Sequence, residues 1–415
     1  MGTLLQSEEL LTPHTSAVSR TSRIGAVVVG GDHPGLGVVR SLGRRGVPVI
    51  VIDDQPCISR LSRYATRVVL VKDILDERNT VDAVLDVGRR FGLRDWVLIP
   101  TRDETVAAFS RYRSELAEFY RVTTGDWEGI QWAWDKAKTY QLAEVLGIPC
   151  PKTFVLQSAE ELPSLYERLP LAIKPAVKEN FFYATGAKAW RADTPEQLNE
   201  LYARALLQIR PEEILIQEIV SGDGNAQYSW CAFARNGRPH STLTARRMRQ
   251  HPREFGRAAT YVETVDAPEV AEYSERFIRA LNYHGLVEIE YKRDPRDGQF
   301  KLLDVNARAW GFHALGGAAG VDFPWLLYAD RLGLPVEPVH ARAGVGWLRL
   351  LTDIPTAISD IFSGYLTVGE YLRSLRATAV ESVFSWTDPL PLLFDAALVP
   401  WAIVKKYPML LKSKF

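Results

Sequence analysis

Residues Gly285–Gly311 read GLVEIEYKRDPRDGQFKLLDVNARAWG, and the fold turns on them. Two apolar runs, Leu286–Lys292 and Gln299–Val305, flank the turn-forming cluster Asp294-Pro295-Arg296-Asp297-Gly298, which predicts a β-hairpin. Side chains on a strand repeat every two residues. Glu288 and Glu290 therefore share one face, as do Asp304, Asn306 and Arg308 on the returning strand. A turn near 295–298 brings Glu290 opposite Asp304. Two carboxylates facing each other repel, and a divalent cation removes the conflict. Mg²⁺ takes a few carboxylate oxygens together with substrate phosphates. Glu290 and Asp304 are the expected metal ligands, with Asn306 adding a neutral oxygen. Arg308 is placed to hold a phosphoryl or acyl-phosphate oxygen. The competing reading is a solvated acidic hairpin. The apolar frame of Leu302, Leu303, Val305 and Ala307 argues for partial burial instead. A slip of two residues along the strand would exchange Glu290 for Glu288.

Lysines upstream add a polyanion to that cation. Lys136 opens a helical stretch, Asp135–Leu146, that stops at Gly147 with Pro149 beyond. Lys174 ends an apolar strand begun at Leu171. Either alone is an ordinary surface lysine; lysines on different elements can converge on a triphosphate. Glu213–Gln217 reads as another strand, leading into Glu218-Ile219-Val220-Ser221-Gly222-Asp223-Gly224. An extended strand leaving a sheet offers backbone groups to an adenine edge, with Asp223 near a ribose; a plain edge strand explains the same residues. Arg246, Arg247, Arg249, Arg253 and Arg257 cluster further on and suit phosphate or carboxylate recognition in a cleft, or a solvated loop.

The first hundred residues differ in character. Ile24–Val29, a glycine-rich turn from Gly30 to Gly37, helix Val38–Leu42 and strand Val47–Ile52 form a βαβ unit. Val68–Val71 and Trp96–Ile99 extend it as an open α/β layer ending near residue 125. Glycines after a first strand and Asp53-Asp54 after the second suggest a dinucleotide site. The third glycine of that fingerprint is missing, so an NAD(P) oxidoreductase is the weaker reading.

Fifty basic and fifty acidic residues in 415 give no electrostatic footprint for nucleic acid. Cys57, Cys150 and Cys231 lie too far apart to suggest a disulfide framework or a metal cluster. Residues 1–22 are polar and rich in Ser and Thr, a frayed leader. The apolar, finally basic segment from Pro389 onward either packs on the body or another subunit, or lies on a membrane surface. Trp347, Trp386 and Trp401 read as core or interface anchors.

Taken in order, five stretches resemble the ATP-grasp superfamily, in particular its predicted carboligases similar to D-aspartate ligase and related to carbamoyl-phosphate synthase and biotin carboxylase. They are VVVGGDHPGLG, DKAKTYQLAEVLGIPCPKT, AIKPAVKENFFYATGAKAWRA, ILIQEIVSGDG and the hairpin itself, together spanning residues 24–330. The resemblance implies an ATP-grasp fold of α/β and α+β type behind an N-terminal Rossmann-like pre-ATP-grasp domain. The expected divisions are a leader (1–22), that domain (23–125), the ATP-grasp domain (126–330, with a small subdomain about 150–220) and a C-terminal helical extension (331–415). It implies that Lys136 and Lys174 contact ATP phosphates, with Lys174 and Arg308 catalytic. Gln217, Glu218 and Val220 would frame adenine, and Asp223 the ribose. Glu290, Asp304 and Asn306 would bind Mg²⁺. Departures are a loop after Lys174 with one glycine, where Thr185, Gly186 and Lys188 would cover phosphates, Asp304 for the usual glutamate, and Ala307 for the usual proline. The implied reaction is ATP- and Mg²⁺-dependent joining of a carboxylate to an amine through an acyl phosphate. Arg246, Arg249 and His313 are candidate substrate contacts, although a packed or capping role also suits His313. A cytoplasmic homo-oligomer, peripheral to a membrane if its C-terminal segment lies there, is expected; a non-catalytic ATP-binding protein and a kinase-like transfer are the alternatives.

Overall fold

A computed structural model describes residues 9–10, 24–177, 181, 185, 187–222, 224–251, 256 and 258–406. Three sheets organise them. The first has the spatial order Glu9–Leu10, Arg67–Leu70, Val49–Asp53, Ala26–Val29, Trp96–Pro100, Tyr120–Val122. Its last five strands pair in parallel, and Glu9–Leu10 adds a short antiparallel edge. Strand Ala26–Val29 is buried along its whole length, as the apolar run demands of a parallel sheet covered on both faces. The chain leaves it to one side and returns on the other. The loops after Ala26–Val29 and Trp96–Pro100 thus open on the crevice where open α/β sheets bind ligands.

The second sheet is small and antiparallel, in the order Thr153–Phe154, Ile214–Glu218, Leu171–Pro175, Trp190–Ala192. Helix Pro195–Leu206 contributes Leu198 and Tyr202 to a separate core with Ile173, Ile214 and Ile216. The third sheet has seven strands: Phe300–Asn306, Gly285–Arg293, Gln227–Arg235, Arg238–His251, Ala258–Thr264, Gly346–Leu348 and Thr378–Glu381. Helix Lys136–Val145 lies between the second and third sheets. Asp135 caps it, accepting from the backbone N–H of Ala137 (2.9 Å) and Lys138 (3.4 Å). This mixed architecture is the expected fold class.

One expectation needs correcting. Residues 331–415 are not simply a helical extension. Gly346–Leu348 pairs antiparallel with Ala258–Thr264, and Thr378–Glu381 pairs parallel with Gly346–Leu348, so the segment completes the large sheet. The strands are three and four residues long, too short for periodicity to reveal. The loop alternative for the arginine cluster does not hold for its three described members, while Arg253 and Arg257 lie outside the described residues. Arg246, Arg247 and Arg249 belong to the fourteen-residue strand Arg238–His251, which sends neighbours to opposite faces.

The described part of the C-terminal segment packs on the body. Leu392, Phe394 and Leu398 cover Leu36, Ile58 and Val383. Asp388, 2% exposed, accepts from Arg40 Nε (2.9 Å), Ser62 Oγ (2.7 Å) and the Arg63 backbone N–H (2.9 Å). No described helix is long and apolar enough to cross a membrane. The expected leader lies outside the described residues apart from Glu9–Leu10.

Candidate active site

Register on the hairpin places Glu290 opposite Asp304 and Glu288 opposite Asn306, with a bulge after Glu290. Strand parity puts Glu288 and Glu290 on one face of the sheet with their partners Cys231 and Ser229 of strand Gln227–Arg235. Asn306 Nδ2 lies 3.1 Å from both Glu288 Oε2 and Glu290 Oε1, so one amide bridges two carboxylates. Ser229 Oγ donates to Glu288 Oε1 at 2.9 Å. Glu288 is 3% exposed, and burial, with the neighbouring Glu290 charge second, pushes its carboxyl above the usual range. Each opposed carboxylate also meets a cation. Arg247 Nη2 donates to Glu290 Oε2 at 3.1 Å, and Lys136 Nζ pairs with Asp304 Oδ1. Removing either cation would leave buried like charges unbalanced. Among the described residues no three His, Cys, Asp or Glu side chains gather as a metal cluster. Two carboxylates are an incomplete shell that suits Mg²⁺, which keeps waters and phosphate oxygens as further ligands, whereas Asn306 turns its nitrogen to Glu290 and its oxygen to Arg308, so it would ligate only with its amide turned over.

Lys174 approaches from the small sheet, where it pairs with Leu215. Its Nζ donates to Tyr140 Oη at 2.5 Å and sits 4.7 Å from that ring's centre. Tyr140 in turn donates to Leu303 O at 2.6 Å. One phenol therefore ties together helix Lys136–Val145, the small sheet and the hairpin. Burial, and then the charge of Lys136, bring Lys174 down to about 7. Gln217 is buried and donates to Thr153 Oγ1 at 2.7 Å.

Arg308 reaches across to the first domain. Its Nε and Nη2 donate to the two oxygens of Asp103 at 2.6 and 3.0 Å, and Nη2 also donates to Asn306 Oδ1 at 3.0 Å. Burial works against the guanidinium's charge, but Asp103 outweighs it and raises the pKa further. Asp103, Lys136, Asp304 and Asn306 line one cavity with Val106, Ala133, Trp134, Val305 and Ala307.

The remaining expected residues fall into three groups. Some border the site. The Glu218 backbone N–H donates to Lys152 O (3.0 Å), and Val220 O accepts from Lys292 Nζ (2.9 Å) as the chain leaves the small sheet. Thr185 Oγ1 donates to Phe181 O (2.7 Å), and Lys188 Nζ donates to Gly256 O (3.2 Å). Asp223, Gly186, Arg253 and Arg257 lie outside the described residues.

Others are committed elsewhere. Arg249 forms a two-pronged pair with Asp353, 2.8 Å at each contact, and donates to Ser374 Oγ at 3.0 Å. It anchors the C-terminal helices. Arg246 donates to Asn225 O at 2.6 Å from the opposite strand face to Arg247. His313 is 2% exposed, with Nε2 2.8 Å from Pro34 O.

That histidine also explains the glycine turn. A Cβ on Gly37 would stand 2.6 Å from its ring, and one on Gly35 would stand 2.0 Å from Gly30 O. Asp53, the residue a dinucleotide site would need, accepts instead from the Gly31 N–H (2.6 Å) and Arg102 Nη2 (3.1 Å). The glycines serve close packing of this turn. Tyr140 and Asp103 were not singled out as functional from sequence, and Arg247 was named only as one of the arginine cluster. Tyr140 stands one helical turn after Lys136, and Arg247 follows from strand parity once the strand is known. Nothing local marks Asp103, whose partner is 205 positions away.

Comparison with known proteins bears on the fold. Residues 224–349 match the family described as "ATP-grasp in the biosynthetic pathway with Ter operon". The D-aspartate ligase of Enterococcus faecium is 22% identical over 228 residues, covering 52% of this chain and 53% of that protein. The carbamoyl phosphate synthase large chain of Methanocorpusculum labreanum is 23% identical over 335 residues, 76% of this chain but 28% of its own length. The chain thus spans about half of the first relative and under a third of the second. The biotin carboxylase domain of Hydrogenobacter thermophilus 2-oxoglutarate carboxylase superposes with a TM-score of 0.62 at 13% identity, covering 78% of this chain and 74% of that one. The L-amino acid ligase of Bacillus licheniformis gives 0.59 at 15% identity, covering 76% of each chain. These likenesses define the class of fold, a grasping architecture of three sheets. The chain has an ATP-grasp fold, with homologues among the ATP-grasp ligases.

Proposed function

We propose that this chain joins a carboxylate to an amine at the expense of ATP. The observation that carries the reading is the opposed pair Glu290 and Asp304, each neutralised by a cation, beside Lys174 and Arg308. Mg²⁺ bound by Glu290, Asp304 and Asn306 would neutralise charge between the β- and γ-phosphates. Lys136 and Lys174 would hold phosphate oxygens. Tyr140 would keep the Lys174 amine aimed at them. Gln217, Glu218 and Val220 would border adenine at the exit of the small sheet, and Asp223 the ribose.

The substrate carboxylate attacks the γ-phosphorus, the bond to the β-phosphate oxygen breaks, and ADP leaves. Arg308 stabilises the negative oxygens of the resulting acyl phosphate. The amine nitrogen then attacks the acyl carbon, phosphate departs, and the nitrogen loses a proton. No protein nucleophile is required. The segment around Thr185 and Lys188 would shield the acyl phosphate from water, and the Lys188–Gly256 contact ties it to the large sheet's side of the cleft. Of the arginine cluster expected to recognise anions, Arg247 is the member that faces Glu290 and would take that role.

The test is release of ADP and phosphate with a panel of acids and amines. Wild type should turn over with some pair, and Asp304→Ala should lose at least about a hundredfold in turnover. Equal turnover in the variant would sink the metal assignment.

A further inference from the structure

Arg308 has its fork already filled. Of its five N–H groups, four are used: Nε and one of Nη2 by Asp103, the other of Nη2 by Asn306 Oδ1, and one of Nη1 by Ala309 O at 3.3 Å. The pair with Asp103 is side-on, the same two-pronged geometry a substrate carboxylate or a phosphoryl group adopts on a guanidinium. Both partners are largely shielded, with 13% and 20% of their side chains exposed.

Asp103 also comes from a different domain. It is the first residue of helix Asp103–Arg111, which follows strand Trp96–Pro100 at the crevice edge of the first sheet. The N–H groups that open that helix favour a carboxylate there. It shares the cavity with Lys136, Asp304 and Asn306.

From this geometry we infer that Asp103 determines which anions Arg308 accepts, by occupying the seat of the reacting group until an anion with two oxygens displaces it. The inference rests on the ligase reading above. Its ligand is an oxyanion able to span the fork, supplied either by the acid substrate or by a phosphoryl group. An anion offering a single atom gains one contact and must break two, so it does not displace Asp103. Competition of this kind lowers apparent affinity by the fraction of time the arginine is free.

The experiment uses Asp103→Asn, which keeps the shape and removes the charge, with Asp103→Ser as a second variant should the first fail to fold. Inorganic phosphate is titrated calorimetrically into the full chain saturated with MgADP, and acetate into the chain saturated with Mg²⁺ and a β,γ-imido ATP analogue. On the order of tenfold tighter binding of phosphate, acetate or both is expected in either variant, with MgADP affinity unchanged. Adding Arg308→Lys should abolish the gain. A gain confined to acetate would assign the seat to the acid substrate, and a gain confined to phosphate to the phosphoryl group; either supports the inference. Phosphate and acetate affinities that stay level or fall, while MgADP binds as before, would overturn it and leave the ligase reading standing. Failure of the wild type to bind MgADP would overturn that reading instead.

Discussion

Lys174 carries a testable proton. Burial and the charge of Lys136 bring it to about 7, so near neutrality its amine is only partly charged. Phosphate oxygens favour the charged form, which sets the sign. At pH 8 nucleotide binding should take up a proton, and affinity should fall as pH rises from 6 to 9. Calorimetry in two buffers of different ionisation enthalpy measures the uptake directly. Heats independent of buffer would contradict it. Tyr140→Phe removes the acceptor that aims this amine. A hydrogen bond to a charged group contributes about 1.5 kcal/mol, roughly tenfold in Kd for MgATP. At this scale the sequence was legible where strand parity governs. Glu290 facing Asp304 follows from a period of two and a turn at 295–298. Tyr140 and Asp103 were not, because their importance depends on contacts with Lys174 and Arg308 that no local pattern encodes.

Elements show the same division. The first parallel strands, the helix Lys136–Val145 and the hairpin announce themselves through apolar runs, an N-cap aspartate and a Pro-Gly turn. The long strand Arg238–His251 does not, because arginines interrupt its alternation where they pair with Glu290 and Asp353. The strands Gly346–Leu348 and Thr378–Glu381 exist only because an edge of the large sheet is available to them. What holds the C-terminal segment is polar as well as apolar. Asp388 neutralises buried Arg40, whose side chain is 8% exposed. Asp388→Ala should destabilise the protein by about 3 kcal/mol, since it strands that guanidinium, and should leave MgADP affinity within twofold. Urea unfolding with an unchanged midpoint would show that the clamp contributes little. Asp353→Ala should act similarly by freeing Arg249 beside Tyr261 and Tyr371.

Across the whole molecule, three sheets meet around one set of charges. The helix that follows strand Trp96–Pro100 of the first sheet supplies Asp103, the small sheet Lys174 and Gln217, and the large sheet Arg247, Glu290, Asp304 and Asn306. Helix Lys136–Val145 joins the last two through Lys136 and Tyr140. Apolar runs and strand parity made Lys136, Lys174, Glu290 and Asp304 legible along the chain, but not their meeting with Asp103 and Tyr140. Substrate identity is written in no such pattern. The central claim is that ATP activates a carboxylate at this junction. Acids labelled with ¹⁸O in the carboxyl group, supplied with ATP, Mg²⁺ and a panel of amines, test it through the mass of the released phosphate. One ¹⁸O should pass from the acid to phosphate as amide forms, and Asp304→Ala should abolish the transfer. Phosphate whose new oxygen comes only from water, or a phosphoryl group retained on the product, would contradict the account.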